Sequence, residues 1–188
     1  MTIKEKIERG EEFDAKSDYS FFADLIKCEE KCMQYNQILP SKMQERTDFM
    51  KEVLGETDGD FWIHSPFHCT YGYNIKIGKD FCSNINLVII DAAPVTFGDY
   101  VMIGPNCGFY TSGHSLNAEK RQALISYAHP ITVGNNVWFG GNVTVLGNVT
   151  IGDNAVIAAG SVVTKDIPAN SLAAGIPAKV IRSLENEK

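Results

Sequence analysis

Two hydrophobic periods divide the chain near residue 60. Before it, apolar positions follow a helical spacing. Phe21, Phe22, Leu25, Ile26, Cys28, Cys32 and Met33 approximate one stripe, with Lys27, Glu29, Glu30 and Lys31 on the other side. A second helix is predicted after Pro40, where Ser41-Lys42-Met43-Gln44 fits a capping box and Phe49, Met50, Val53 and Leu54 face one way. Gly55 supplies its stop. The expectation is a short helical pair.

After residue 60 the helical period gives way to one of six. Val133, Phe139, Val145, Ile151, Ile157 and Val163 recur at that spacing, and four residues after each comes a smaller or β-branched partner: Val137, Val143, Val149, Ala155, Ser161 and Ile167. Ile77, Ser83 and Ile89, then Phe97, Ile103 and Phe109, show the same rhythm earlier. Such a repeat is too short for a two-stranded hairpin and is not helical. It fits a chain that runs straight briefly, turns and repeats, stacking coil on coil at about 4.8 Å. Bulky residues then point into a shared interior, while Gly or Asn takes turns of positive φ. A lone coil cannot bury its apolar face, so at least three must stack. An ordinary sandwich would need the matches to be coincidence.

One stretch breaks the rhythm. Residues 111–130, from Thr111-Ser112-Gly113-His114 to His129-Pro130, are polar and aperiodic and are expected as a loop ejected from the coil. Long loops on rigid scaffolds are frequently functional.

Charge sharpens the boundary. The first 60 residues hold 9 Lys and Arg against 15 Asp and Glu, and the remaining 128 hold 8 against 8, so the net charge of −6 belongs to the helical part. A net negative chain without basic clusters argues against nucleic-acid binding. No apolar run approaches the roughly 18 residues of a membrane span, and the lysines of Met1–Lys6 have no apolar run behind them, which argues against a secretory signal. The five cysteines show no disulfide-framework spacing; Cys28 and Cys32 are expected as small buried hydrophobes, and the compartment as the reducing cytosol.

The hexapeptide tandem, with Ile131-Thr132-Val133-Gly134-Asn135-Asn136-Val137-Trp138 and Val162-Val163-Thr164-Lys165-Asp166-Ile167-Pro168, resembles the maltose/galactoside O-acetyltransferase family. The acidic N-terminal segment, Tyr71-Gly72-Tyr73-Asn74, Asn84-Ile85-Asn86-Leu87, the Gly113-His114 loop and the closing Ala174-Gly175-Ile176-Pro177-Ala178-Lys179-Val180-Ile181 extend the resemblance over nearly the whole chain. It implies a mainly β fold: a left-handed parallel β-helix over residues 61–188, preceded by an α-helical segment over 1–60 and interrupted by the loop. That handedness runs against the usual crossover rule, and periodicity alone could not give it. The resemblance also implies a homotrimer with active sites between subunits, acetyl-CoA as co-substrate, no required metal, and a small-molecule acceptor.

His114 matches the family's catalytic histidine. Acetyl transfer to a hydroxyl needs a base, because a neutral alcohol is a poor nucleophile, and imidazole titrates near neutrality. Asn84 and Thr70 are the expected acceptor contacts, with an acidic residue of the N-terminal segment, Asp14 or Asp18, reaching the same place. The amide of Gly141 is the candidate donor to the developing oxyanion. The CoA groove is expected around Trp138, Ala159, Gly160 and Thr164, with Lys165, Lys179 and Arg182 facing the phosphates.

Two departures from the family bear on the acceptor. The loop glutamate of the family is absent from Ala123-Leu124-Ile125-Ser126-Tyr127, and the galactoside pattern's second acidic residue beside the one matching Asp91 is replaced in Ala92-Ala93-Pro94. The reading is an O-acetyltransferase acting directly on a sugar or sugar-like hydroxyl. Transfer to a xenobiotic or amine is the runner-up. A noncatalytic trimeric scaffold is a further class, and a γ-carbonic-anhydrase-like enzyme would need three converging histidines. His64 and His68 bracket a proline, so no helix brings them together, and His129 has no assigned role.

Overall fold

The computed structural model describes residues 1–185. The last three residues of the predicted C-terminal tail lie outside that range.

Three helices precede the coil, one more than the expected pair. α1 (Ile3–Glu8) starts with a capping box in which Glu5 N–H donates to Thr2 Oγ1 and Thr2 N–H donates to the Glu5 carboxylate. α2 (Tyr19–Gln37) is capped by Asp18, whose carboxylate accepts from Ser20 N–H at 2.9 Å. α3 (Met43–Val53) begins later than the Ser41 pattern predicts: Lys42 is the N-cap and no side chain caps it. Gly55 also has a different task. A Cβ there would lie 2.1 Å from the Tyr73 carbonyl oxygen, so glycine is required by close backbone approach.

From Glu56 the chain winds around three parallel sheets. Face I stacks Glu56–Thr57, Ile75–Ile77, Val95–Phe97, Ile131–Val133 and Val149–Ile151. Face II stacks Phe61–Ile63, Phe81–Ser83, Met102–Ile103, Trp138–Phe139, Val156–Ile157 and Ser171–Gly175. Face III stacks Phe67–Cys69, Leu87–Ile90, Gly108–Tyr110, Thr144–Leu146 and Val162–Val163. The chain visits I, II and III in turn, making each circuit one rung. Since Glu56–Thr57 pairs with Ile75–Ile77, the coil begins a few residues before the predicted boundary.

Every bulky position of the repeat, from Val133 to Val163, and every small partner, from Val137 to Ile167, is buried. Phe81, Phe97, Phe109 and Phe139 run down the axis edge to face, with successive centroids 5.2, 5.0 and 5.2 Å apart. The turns use asparagine as expected. Asn86, Asn106 and Asn142 between faces II and III, and Asn136, Asn154 and Asn170 between I and II, all have positive φ.

Both ends of an open coil expose strand edges. At the first rung the side chain of Asn36 pairs with both backbone groups of Phe67, donating to its carbonyl at 2.9 Å and accepting from its N–H at 2.8 Å. Arg46, buried, donates to Ile38 O, Ile63 O and Ser65 Oγ and stacks 4.2 Å from the Tyr35 ring. At the other end, Ala178–Ser183 folds back antiparallel on Ser171–Gly175. The predicted α2 stripe is divided: Cys28 and Cys32 are buried and Phe21 and Leu25 half-buried, but Phe22, Ile26 and Met33 face outward.

Candidate active site

The ejected stretch leaves the coil at the corner between faces III and I, and it is ordered. Ser112–His114 and Ile125–Ala128 form an antiparallel pair joined through the short helix α4 (Ala118–Gln122). The N-terminal strand Phe13–Asp14 adds to the outer side of Ile125–Ala128. Lys120 meets Glu12 at 2.6 Å across this joint. The neck is closed by His129 N–H donating to Thr111 O at 2.8 Å. Gly113 is opposite Tyr127, whose hydroxyl would lie 2.5 Å from a Cβ at that position; only glycine leaves room for the ring.

This pairing sets His114 opposite Ser126, with the hydroxyl 3.2 Å from imidazole Nδ1. Ser126 Oγ also lies 3.3 Å from the Leu124 carbonyl oxygen. Leu124 has φ of 60°, a left-handed conformation that a leucine rarely adopts, and its carbonyl also accepts from Ala15 N–H.

His114 lines an open cleft of about 350 Å³. The other polar walls are Thr70, Ser112 and Ser126, and the apolar ones are Phe13, Ala15, Phe21, Leu25, Tyr71, Ile90 and Ala92. Thr70 is fixed from behind by Asp91. That fully buried carboxylate accepts from the Thr70 and Tyr71 N–H groups, each at 2.9 Å, through one oxygen. Its other oxygen has no partner among the described residues. Burial pushes the Asp91 carboxyl above the ordinary range, and the two amides draw it part of the way back.

The structure therefore brings His114 and Thr70 together. Asp14 does not join them. Its strand neighbours Phe13 and Ala15 face the cleft, while its own carboxylate accepts from Lys16 N–H at 2.8 Å. Asp18 is used as the α2 cap. Asn84 occupies a different corner, between faces II and III, where its side-chain oxygen accepts from Ile85 N–H. The two corners of one rung are separated by one strand, on the order of 15 Å.

That second corner also carries Gly141, Ala159 and Gly160. At equivalent turn positions the middle amide is satisfied by a side chain, as at Lys79 by Asp99, Asp99 by Asn135, Asn135 by Asp153 and Ile85 by Asn84. The N–H groups of Gly141 and Ala159 have no partner among the described residues. Gly160, at φ of 74°, has open space where a Cβ would point. Thr164 and Lys165 stand at the III–I corner two rungs beyond the His114 loop, and Lys179 and Arg182 on the returning strand beside face II.

The faces differ in what they show to solvent. Outward positions on face I are Lys76, Thr96, Thr132 and Thr150. On face II they form a largely apolar column, Cys82, Met102, Trp138, Val156 and Leu172. His64 and His68 point outward from neighbouring faces, and no three histidines converge among the described residues.

A parallel coil of hexapeptides with a histidine-bearing loop defines the class of hexapeptide-repeat acetyltransferases. Two family signatures agree: a bacterial transferase hexapeptide (six repeats) matches residues 130–165, and a maltose acetyltransferase hexapeptide capping motif matches residues 6–59. The galactoside O-acetyltransferase of Escherichia coli is 44% identical over 153 residues, covering 81% of this chain and 75% of that protein. Among solved structures, a galactoside acetyltransferase in complex with coenzyme A superposes with a TM-score of 0.95 at 39% identity, over 99% of this chain and 92% of the other. A maltose O-acetyltransferase from Clostridium difficile does so with a TM-score of 0.95 at 37% identity, over 99% of both. The chain belongs to the maltose/galactoside O-acetyltransferase family and is an acetyltransferase with that family's left-handed β-helix.

Ser126, Phe13 and Tyr71 were not legible as site residues. A two-residue strand such as Phe13–Asp14 carries no period, and Ser126 gains meaning only from its register with His114.

Proposed function

We propose that the protein transfers an acetyl group from acetyl-CoA to a hydroxyl of a sugar or sugar-like acceptor, in clefts between the subunits of a homotrimer. The observation that carries this reading is the division of the candidate residues between two corners. His114, Thr70 and Lys165 belong to one, and Asn84, Gly141 and Ala159 to the other. Within one chain they cannot surround a common ligand. A heterologous contact that joins the first corner of one copy to the second corner of the next brings the two sets together, and the proposed homotrimer is the closed ring of such contacts. The apolar column of face II is a surface that such an assembly would cover.

The residues fit a CoA molecule. Gly140, Gly141, Ala159 and Gly160 make a smooth groove with two unpaired amides, and Lys165, Lys179 and Arg182 offer charge for phosphates. The bound thioester supplies an activated acetyl group. His114 takes the proton of the acceptor hydroxyl as it attacks, and the Gly141 amide meets the negative charge developing on the carbonyl oxygen. His114 then returns a proton to the departing sulfur.

Ser126 supports this use of the imidazole. When its hydroxyl donates to the Leu124 carbonyl, its lone pair is left to accept from Nδ1–H of His114. Nε2 is then unprotonated, as a base must be. A serine so placed stands in for the missing loop carboxylate.

Ala92 and the apolar walls of the cleft favour an acceptor with an apolar face over one gripped on all sides through hydroxyls. The test is a thiol-release screen with acetyl-CoA over sugars, glycosides with apolar aglycones, aminoglycosides and simple amines, together with the solution mass. Acceptor-dependent thiol release by a trimer is expected. A monomer that binds acetyl-CoA and turns over would overturn the intersubunit site.

A further inference from the structure

Away from the His114 cleft, three thiols converge where α2 meets the first rung. Cys28 and Cys32 lie one helical turn apart on the buried side of α2, and Cys69 ends the first strand of face III. Cys69 Sγ is 3.5 Å from Cys28 Sγ and 3.7 Å from Cys32 Sγ, and all three sulfurs lie within 4.8 Å of one another. Their residues are 3%, 2% and 9% exposed. We infer that Cys28, Cys32 and Cys69 form a structural site for one thiophilic d10 cation, Zn²⁺ or Cu⁺, that fastens α2 to the coil.

The spacing is what such an ion needs. Thiolates about 2.3 Å from a common tetrahedral centre are about 3.8 Å apart. The observed separations reach that value with sub-ångström movements of rotatable side chains. Both supporting elements are rigid, one a helix and one a sheet strand, which is the setting in which ligands hold their geometry. The donor set is all sulfur, which selects soft cations over Mg²⁺ or Ca²⁺.

An approach to the site exists. A cleft of about 150 Å³ lined by Asp24, Lys27, Lys31, Glu52, Tyr71 and Tyr73 reaches Cys28 and can admit the ion and a water as fourth ligand. The cleft lining is formally neutral, two lysines against Asp24 and Glu52, so the charge at the site is set by the complex itself. Binding Zn²⁺ to three thiols releases three protons and leaves a complex of charge −1, and binding Cu⁺ leaves −2.

The site is distinct from acetyl transfer. None of the three cysteines lines the His114 cleft, although Cys69 immediately precedes Thr70. The ion's expected effect is on attachment of the helical cap.

The experiment titrates reduced, chelator-treated, full-length protein with Cd²⁺, whose sulfur-to-metal charge-transfer absorption reports thiolate ligation. The band should saturate at one equivalent per chain with the intensity of three thiolates. Zn²⁺, or Cu⁺ under anaerobic conditions, added to the cation-free protein should raise the melting temperature, and the one that raises it more at equal free concentration identifies the preferred cation. Cys28→Ala and Cys32→Ala should each lose both the band and the thermal shift, while Cys82→Ala, on face II, should keep them. Absence of the band from the wild type overturns the inference without any variant, as does a band that persists in Cys32→Ala. Loss of two thiols on air oxidation without cation uptake also overturns it, since it would mark a redox pair.

Discussion

The hydroxyl of Ser126 lies 3.2 Å from Nδ1 of His114, on the strand paired with the one that carries the histidine. Register alone produces this contact, because residues directly opposite in an antiparallel pair are close neighbours. Replacing Ser126 by alanine should lower kcat about tenfold to a hundredfold, the range typical of lost orienting hydrogen bonds. KM for acetyl-CoA should change little. Ser126→Glu should recover much of the rate with an altered pH profile, because an anion beside Nδ1 stabilises the imidazolium. Full activity of Ser126→Ala across the pH range would remove serine from this role.

His114 itself is tested by the alanine variant. Turnover should fall by about 10² to 10⁴, the scale of a general base, while the oligomeric state and CoA affinity persist. Calorimetric titration with CoA and steady-state kinetics separate the two quantities.

Ala92 lines the cleft where the galactoside pattern has a carboxylate. Ala92→Asp should shift preference toward polyhydroxylated acceptors, raising their kcat/KM relative to alcohols with an apolar body by about tenfold, the worth of one well-placed hydrogen bond to a charged group. Competition between two acceptors in one reaction measures the ratio directly.

Asp91 ties stability to pH. Burial raises its pKa above the ordinary value of 3.8, so the folded protein binds this proton more tightly than the unfolded chain. The contribution is fully present below the ordinary value and is lost as pH rises through the folded one. Asp91→Asn keeps an oxygen for the Thr70 and Tyr71 amides but does not titrate. Wild-type stability relative to this variant should therefore fall as pH increases across the acid range, as read from denaturant midpoints. A constant difference would show that Asp91 titrates normally.

Arg46→Ala should lower stability by about 3 kcal/mol, since it removes three hydrogen bonds from a charged donor and leaves Ile38 O and Ser65 Oγ without theirs, while Ile63 O keeps only the Tyr35 hydroxyl. Denaturant unfolding measures the loss, and hydrogen exchange should locate it in α2 and α3.

The coil was legible because its constraint is local and repeated. Each bulky position from Val133 to Val163 meets the same environment one rung later, so one period describes them all. The N-terminal segment offers no such averaging. Its α2 divides its apolar residues between the coil and solvent, and periodicity cannot tell which side Phe22 or Met33 takes. The Ser41 pattern fails because α3 is held by Arg46 and its hydrophobic contacts and starts at Met43 without a side-chain cap. His114 was recognisable from its motif, but Ser126 and Asp91 act through cross-strand and cross-rung partners far away in sequence. Cys69 is likewise 37 residues from Cys32 and meets it only after the first rung closes.

The III–I corner returns once per rung. The His114 loop leaves at one such corner, Asn148 occupies the next, and Lys165 the one after. Their separation along the coil is thus set in whole strand spacings, about 4.8 Å each and about 10 Å in all. A solenoid built this way is a ruler graduated in rungs. Inserting or deleting one full circuit would lengthen or shorten the interval by one graduation without disturbing either end, whereas no single substitution can alter it.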